Sequence, residues 1–302
     1  MLKFLSKKII LILKGAAMGG ANVIPGVSGG TIAFITGIYE ELINTLKSFN
    51  FRALKILLKL NFKDLYSHLN LNFIISIGIG IIISVFSIAK LLEFLFENHP
   101  ILISSYFFGL ILASIYYVGK FVERWNFFSI TSSIIGFTIA LFIAFIPPSL
   151  PVEQQDINPV MIIIYGMIGS TGMLLPGFSG SYILLVIGVY ELIIKALNDM
   201  FNSIQDFLFM VYFLFGTAIG LVGFSFILSW ILKRYKNITI ALLTGFVAGS
   251  LLTIWPWKTE TESTFNRVIP EISFELTYAC LSIFLGLITI TLFEKIASKK
   301  NK

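Results

Sequence analysis

The sequence predicts an all-α membrane protein that crosses the bilayer several times and is built from two inverted repeats. Of its 302 residues, 57% are hydrophobic and 13% are charged, and the mean hydropathy is +0.91. Such values are typical of a chain that leaves little of its mass outside a bilayer. A duplicated motif and six apolar runs of spanning length complete the prediction. Each repeat is expected to hold a re-entrant helical hairpin followed by three transmembrane helices.

The duplicated motif occurs twice, half a chain length apart. Its copies are Pro25-Gly26-Val27-Ser28-Gly29-Gly30-Thr31 and Pro176-Gly177-Phe178-Ser179-Gly180-Ser181-Tyr182, followed by Gly37-Ile38-Tyr39-Glu40 and Gly188-Val189-Tyr190-Glu191. Proline lacks the amide donor that a helix needs and glycine readily takes positive φ, so each copy predicts a helix break. At membrane depth a break is tolerated only where protein buries it or where it lines a polar cavity. We therefore interpret the two breaks as halves of one site.

The first repeat is predicted within residues 1–150. Its hairpin, residues 9–46, has two legs of 16 residues on either side of the break. At about 1.5 Å per residue each leg reaches about 24 Å, which is short of a hydrocarbon core of about 30 Å. Three spans should follow, at about residues 73–92, 101–119 and 127–146. A proline-rich loop, Pro147-Pro148-Ser149-Leu150-Pro151, ends the third span.

Between the first hairpin and the first span, residues 47–72 predict helix with an apolar and a basic stripe. The apolar stripe contains Phe51, Leu54, Leu58, Phe62 and Leu65, and the basic stripe contains Arg52, Lys55, Lys59 and Lys63. A basic amphipathic helix commonly lies on an anionic membrane surface. Because Ile56 and Leu60 interrupt the polar face, an ordinary solvated helix is the alternative.

The second repeat is predicted within residues 151–302. It should contain a re-entrant hairpin at residues 160–197 and spans at about residues 207–232, 238–255 and 274–293. The duplication also reaches these later spans, since Gly109-Leu110-Ile111-Leu112-Ala113-Ser114 resembles Gly245-Phe246-Val247-Ala248-Gly249-Ser250.

The basic residues orient the chain with both termini in the cytoplasm. In this arrangement every lysine and arginine lies on the cytoplasmic side except Lys90, Lys195, Lys258 and Arg267, as the positive-inside rule expects. Three spans separate the two hairpins, so the repeats have opposite orientations, which is a recurrent design of secondary transporters. The same charges would fit hairpins whose legs cross the bilayer fully, and that alternative stays open.

At the motifs the chain resembles the polyprenyl-phosphate transporter family. The residues that carry the resemblance are Gly15-Ala16-Ala17-Met18-Gly19-Gly20-Ala21-Asn22-Val23-Ile24-Pro25-Gly26-Val27-Ser28-Gly29-Gly30-Thr31 and Leu175-Pro176-Gly177-Phe178-Ser179-Gly180. The resemblance extends over essentially the whole chain. It implies a flippase that returns undecaprenyl phosphate, the lipid carrier of bacterial wall polymers such as peptidoglycan, from the outer to the cytoplasmic leaflet of the bacterial plasma membrane. The implied partners are this lipid and the membrane lipids.

The two breaks suit an anionic head group. A helix should begin after each break, capped by Ser28 or Ser179, with small residues that leave backbone amides open to a ligand. A helix N-terminus carries about half a positive charge, so two of them are expected to bind a phosphate without a fixed cation. The predicted binding residues are Asn22, Pro25, Gly26, Ser28, Gly29, Gly30, Thr31, Pro176, Gly177, Ser179, Gly180 and Ser181.

Two glutamates, Glu40 and Glu191, follow the motif helices, each directly after a tyrosine. A carboxylate in a membrane protein can bind a proton or a cation, so both residues are candidates for ion coupling. An interfacial Tyr-Glu pair at each hairpin exit is the alternative.

The sequence predicts no catalytic set, no cofactor and no metal site. An intramembrane enzyme such as a phosphatase needs a nucleophile with a partnered base, and the predicted spans contain no histidine. The single cysteine, Cys280, lies in an apolar run. Membrane topology accounts for the net charge of +6, so nucleic-acid binding has no support. A small-anion channel or exchanger that uses the same loops is the alternative to a lipid transporter.

Overall fold

The computed structural model describes residues 2–23, 28–146, 158–177, 179–261, 264–270 and 273–299. The part of the chain up to residue 146 contains eight helices: α1 (Leu2–Val23), α2 (Gly29–Ile35), α3 (Tyr39–Lys47), α4 (Phe51–Leu58), α5 (Phe62–His68), α6 (Leu71–Asn98), α7 (Pro100–Gly119) and α8 (Phe127–Ala144).

The part from residue 158 onward contains α9 (Pro159–Leu174), α10 (Gly180–Val186), α11 (Tyr190–Asp199), α12 (Ile204–Arg234), α13 (Lys236–Ser250) and α14 (Phe274–Lys299). A short 3-10 turn, Leu251–Ile254, continues α13. An antiparallel hairpin of β1 (Lys258–Thr261) and β2 (Thr264–Arg267) connects it to α14. The sequence prediction contained no strands, because two polar strands of four residues cannot be told from a loop by their pattern.

Several helices are long and apolar enough to span a membrane. By length and composition, five of the described helices qualify: α7, α8, α12, α13 with its 3-10 turn, and α14 as far as Leu292. Two helix pairs qualify jointly but are bent, α5 with α6 by 67° and α10 with α11 by 112°. Helix α9 is apolar but has only 16 residues. The chain is therefore a multi-pass membrane protein.

The return leg of each predicted hairpin is two helices, so the prediction of one unbroken leg is wrong. Helix α2 ends at Ile35 before α3 begins, and α10 ends at Val186 before α11 begins. The turns contain Gly37 at φ +71° and Gly188 at φ +83°. A residue with a side chain rarely adopts this left-handed conformation, so these glycines end the helices. Residues 47–72 are likewise divided into α4 and α5, with Leu60 between them at φ +52°.

Both motif breaks reverse the chain direction. On the first hairpin, the Gly29 amide in α2 donates to Asn22 Oδ1 in α1 at 2.8 Å, and Lys14 Nζ donates to the Thr36 carbonyl at 2.6 Å. On the second hairpin, Gly180 lies against Gly172 of α9, and Leu184 further along α10 lies against Gly169. Residue numbers rise on one helix as they fall on the other, so α2 folds back along α1 and α10 folds back along α9.

Glycines bring helices into backbone contact at four crossings. A methyl group added at these positions would meet the backbone of the opposite helix, since no side chain lies between. In the first two crossings, α1 meets α6 at Gly15 and Gly80, and α9 meets α12 at Gly166 and Gly216. In the other two, α7 meets α14 at Gly109 and Gly286, and α8 meets α13 at Gly136 and Gly245.

The four crossings form two pairs of corresponding contacts. In the first half, Gly15 lies against Ile77. In the second half, Gly166, which is 151 positions after Gly15, lies against Phe213, which is 136 positions after Ile77. Close approach through small residues is typical of membrane helices, which lack a hydrophobic driving force for association. In the other pair of crossings, Gly109 against Ile283 corresponds to Gly245 against Ser133.

The direction of three helices can be read from their contacts. Asn237 near the start of α13 donates to Ser129 Oγ near the start of α8 at 2.7 Å, and Gly249 near the end of α13 lies against Ala140 near the end of α8. Helices α8 and α13 are therefore parallel. The segment that follows α7 also meets the start of α13, because the Glu123 amide donates to Asn237 Oδ1 at 2.7 Å. Helices α7 and α13 therefore run in opposite directions.

Candidate functional site

The two motif breaks meet in the interior and hydrogen-bond to each other. Ser28 Oγ donates to the Leu175 carbonyl at 3.0 Å, and the Gly177 amide donates to Thr31 Oγ1 at 2.7 Å. A third bond runs from the Tyr39 hydroxyl to the Leu174 carbonyl at 2.9 Å. Away from water, backbone groups freed by a helix break need partners within the protein. Here side chains of the first half, Ser28, Thr31 and Tyr39, supply partners to backbone groups of the second break. We call this meeting point the loop crossing.

Helix α2 begins with all of its first amides bonded. The Gly30 amide donates to Ser28 Oγ at 3.1 Å, so the predicted cap by Ser28 is confirmed. The Gly29 amide donates to Asn22, and the Thr31 amide donates to the Ser28 carbonyl at 3.0 Å. The expectation that these amides are open to a ligand is therefore wrong for this conformation, because the chain itself supplies their acceptors.

Helix α10 begins differently. Ser179 makes no side-chain cap, so the prediction for this residue is wrong. Its hydroxyl lies 2.6 Å from Ser181 Oγ, and either oxygen can donate the hydrogen. The two hydroxyls thus bond to each other, whereas in the described part of the first break the Ser28 hydroxyl bonds to backbone groups.

The loop crossing is tightly packed. Ser28 and Thr31 are 1% exposed and Ser179 is 4% exposed. A side chain at Gly30 would lie 2.9 Å from the Leu174 carbonyl oxygen, and one at Gly177, which has φ +84°, would lie 2.8 Å from the backbone of α13 at Val247. Glycine is thus required at Gly30, where the first break approaches the backbone of Leu174, and at Gly177, where the second break approaches the backbone of Val247. Pro176 is also fully buried, whereas Pro25 and Gly26 lie outside the described residues.

The structure adds Tyr39 to the site, a residue that sequence reasoning assigned only to an interfacial pair. Its ring is buried at 3% exposure and its hydroxyl reaches the second break. The sequence feature that could have indicated Tyr39 is its place in the repeated Gly-x-Tyr-Glu sequence, next to Glu40.

The two glutamates lie away from the loop crossing. Glu40 Oε1 is 2.7 Å from Lys236 Nζ, and both side chains are about half exposed. This ion pair fits the interfacial alternative. Glu191 is exposed and lines an open cavity of about 480 Å³ with Tyr190, Lys195 and Asp199.

The corresponding faces of α3 and α11 have different surroundings. The face of α3 that carries Asn44 and Lys47 contacts α12, whose Ser229 Oγ lies 3.2 Å from Asn44 Oδ1 and 3.2 Å from Lys47 Nζ, and Asn44 is still exposed. The residues 151 positions later, Lys195 and Asn198, line the open cavity. One face is therefore bonded to α12, and its counterpart lines an open cavity.

Among the described residues, no group of three His, Cys, Asp or Glu side chains is placed to hold a metal ion. The loop crossing offers hydroxyl and amide donors instead, and none of the contacts given above involves a cationic side chain.

Membrane-spanning helices packed around two buried helix breaks are the architecture of a membrane transport protein. A family model described as "VCA0040-like: Undecaprenyl phosphate translocase-like" matches residues 18–271. The chain belongs to this family of transporters, and the resemblance noted at the motifs is thereby confirmed.

Two relatives carry the name "Polyprenyl-phosphate transporter". The protein from Vibrio cholerae serotype O1 (strain ATCC 39315 / El Tor Inaba N16961) is 42% identical over 246 residues, 82% of this chain and 77% of the relative. The protein from Staphylococcus aureus (strain NCTC 8325 / PS 47) is 32% identical over 258 residues, 82% of this chain and 87% of the relative. No solved structure matches the chain. The family and these relatives identify a transporter rather than an enzyme.

Proposed function

We propose that the chain returns a polyprenyl phosphate, namely undecaprenyl phosphate, from the outer to the cytoplasmic leaflet of the bacterial plasma membrane for reuse in cell-envelope synthesis. The substrate class comes from the names of the family and the relatives. The observation that carries the proposal is the loop crossing, where two polar breaks 151 residues apart hydrogen-bond to each other in the interior.

The two halves are related as inverted repeats in this proposal. The corresponding glycine crossings support a two-fold relation, and the opposite directions of α7 and its sequence counterpart α13 support the inversion. Inverted repeats place equivalent broken helices on opposite sides of one central site. We propose that both termini lie in the cytoplasm, as the basic residues indicate.

The head-group phosphate binds at the loop crossing in place of the bonds between the breaks. The donors there are the hydroxyls of Ser28 and Tyr39 and the amide of Gly177, and each now donates to a neutral oxygen. Charged phosphate oxygens are stronger acceptors than neutral ones, so the head group can take over these donors while the Ser179–Ser181 pair adds hydroxyls. Without a fixed cation the phosphate can leave again. The isoprenoid tail stays in the lipid.

Exchange between an outward-open and an inward-open state follows from the unequal faces of α3 and α11. In this proposal the contact of α3 with Ser229 of α12 marks the closed side, and the cavity beside Lys195 marks the open side. In an inverted pair, the second state exchanges these two environments. The bound head group thereby meets the two leaflets in turn.

Coupling to a proton or cation at Glu40 and Glu191 stays a prediction. Replacing both glutamates by glutamine removes their charge with little change in shape. If they couple transport to protons, the variant should bind lipid but lose the dependence of flipping on a pH gradient. Unchanged gradient dependence would leave the Glu40–Lys236 pair as an interfacial contact.

The decisive experiment is uptake of labelled undecaprenyl phosphate into the inner leaflet of proteoliposomes. Undecaprenyl diphosphate and chloride serve as competitors. We expect the protein to flip this lipid. Gly177→Leu should abolish flipping, because the new side chain would fill the crossing beside Val247. Gly78→Leu should preserve flipping, because Gly78 has open space around it. Rapid chloride movement without lipid flipping would contradict the proposal and favour a small-anion channel or exchanger.

A further inference from the structure

The outer faces of α4 and α5, here called the α4–α5 surface, carry large apolar side chains that no described part of the chain covers. Six of them are Phe51, Leu54, Leu58, Leu60, Phe62 and Tyr66, with Leu58 74% exposed and Phe51 70% exposed. In α4 only Ala53 is buried, and α5 has no buried residue. With eight and seven residues, both helices are too short to span a bilayer. Contact with the lipid around a span therefore does not explain this exposure.

The helix pair is placed to lie in the plane of the membrane. Helix α5 is bent by 67° from the first half of α6, and the 28 residues of α6 are long enough to span a bilayer. A helix at this angle to a spanning helix lies much closer to the membrane plane than to its normal. The turn is made at Asn70, whose φ is +45°. Asn50 and Asn61 cap the starts of α4 and α5, so both helices begin at defined positions.

The charges around the apolar face are almost all positive. Arg52, Lys55, Lys59 and Lys63 are exposed, against one exposed acidic residue, Asp64. In α4 the side chains of Leu54, Leu58 and Phe51 follow one another around the helix, and those of Lys55 and Arg52 come next. Lys55 Nζ lies 5.0 Å from the Phe51 ring centre, at the border of the apolar face. Apolar side chains at the depth of the acyl chains and ammonium groups at the depth of the phosphates match an anionic head-group layer.

We propose that the α4–α5 surface lies in the head-group region of the bilayer and binds anionic phospholipid there in preference to zwitterionic lipid. The cations would concentrate anionic head groups beside the start of α6, and the apolar side chains would fix the depth of the helices. This proposal does not depend on which substrate the transporter carries.

The test places a fluorescent label on the surface of the full-length protein. Cys280 is replaced by serine and Leu58 by cysteine, which is labelled with bimane in vesicles of equal parts phosphatidylglycerol and phosphatidylcholine. In parallel samples only one of the two lipids carries bromine on its acyl chains and quenches the label. We expect quenching by both lipids and stronger quenching by brominated phosphatidylglycerol. A label on Phe142→Cys, an exposed position of α8, should show no preference.

The charge variant is Lys55→Gln with Lys59→Gln and Lys63→Gln. Each cation near an anionic surface contributes about a fivefold preference, the equivalent of about 1 kcal/mol, so the quenching ratio should fall strongly, and the remaining Arg52 should keep it above one. Replacement of the same three residues by arginine should keep the preference. High salt should weaken it. All variants should elute as the native protein does in gel filtration.

Two outcomes would overturn the proposal. A label at Leu58 that neither brominated lipid quenches would show that the surface faces water or a protein partner. Equal quenching by both lipids before any lysine is changed would show an interfacial helix pair without anionic selectivity.

Discussion

One hydroxyl, that of Ser28, joins a helix start in the first half of the chain to a helix end in the second half. It accepts from the Gly30 amide and donates to the Leu175 carbonyl. Because Ser28 is 1% exposed, water cannot easily replace either bond. Among the residues that the structure describes, the hydroxyl of Ser179, its sequence counterpart, bonds to the neighbouring Ser181 hydroxyl. Equivalent positions in the two motifs are therefore expected to contribute differently to the free energy of unfolding.

Ser28→Ala should destabilise the protein more than Ser179→Ala. The first change removes a helix cap, a loss of about 0.5–2 kcal/mol, and leaves the part-buried Leu175 carbonyl without its donor, a loss of up to about 1–3 kcal/mol. The second change removes one bond between exchangeable hydroxyls. Thermal unfolding of both variants in the same detergent measures the difference. Equal unfolding temperatures would contradict the asymmetric capping of α2 and α10.

Substitutions at Gly177 and Gly37 distinguish the cost of backbone strain from the cost of a steric clash. Both have positive φ, +84° and +71°, but a Cβ added at Gly177 would meet the backbone of Val247, whereas one added at Gly37 would meet no other described part of the protein within 4 Å. Gly37→Ala should therefore cost only the left-handed strain of about 1–2 kcal/mol. Gly177→Ala should cost this strain plus the displacement of α13, and should also reduce flipping. The check is unfolding temperature together with flip rate, and equal effects of the two variants would argue against close contact at the loop crossing.

At the scale of the helices, packing depends on the absence of side chains at the crossings. Gly80 in α6 lies against the Ile12 carbonyl and the Ala16 amide of α1, whereas Gly78, two residues away, has open space. Lipid tails are as apolar as the helices, so close van der Waals contact is what favours association.

Gly80→Ala should separate α1 from α6 and destabilise the protein by about 1–3 kcal/mol, the usual cost of overpacking. Gly78→Ala is the matched control and should be neutral or slightly stabilising, since alanine is the better helix former. Unfolding temperatures of the two variants at equal detergent concentration test this. A destabilised Gly78→Ala with an unaffected Gly80→Ala would contradict the α1–α6 contact.

For the whole molecule, the contact between α3 and α12 is the feature that must open if the two sides alternate. Asn44 and Ser229 side chains bond each other across it at 3.2 Å. With Cys280 replaced by serine, the pair Asn44→Cys and Ser229→Cys should form a disulfide that stops flipping, and a reductant should restore it. Either single cysteine is the control. Full flipping by the oxidised pair would show that this contact need not open.

The sequence predicted the site only in part: features set by neighbours along the chain could be predicted, and contacts between distant residues could not. Ser28 as a cap, and breaks at both motifs, could be inferred because capping and helix breaking depend on neighbours along the chain. The bond from Tyr39 to Leu174 spans 135 residues, and no local pattern indicates it. The motif alone also suggested equal roles for Ser28 and Ser179, which the structure does not show.

By itself the sequence determined the membrane class, the family, most of the long helices and the two breaks. Each follows from composition or from proline and glycine at particular positions, which act on the chain locally. Only the tertiary structure decided which donors at the breaks are used, that each return leg is two helices, and that α3 bonds to α12 while the corresponding residues of α11 line an open cavity. These outcomes depend on which backbone groups meet across the two halves. A buried polar group takes whichever partner the packing brings within reach.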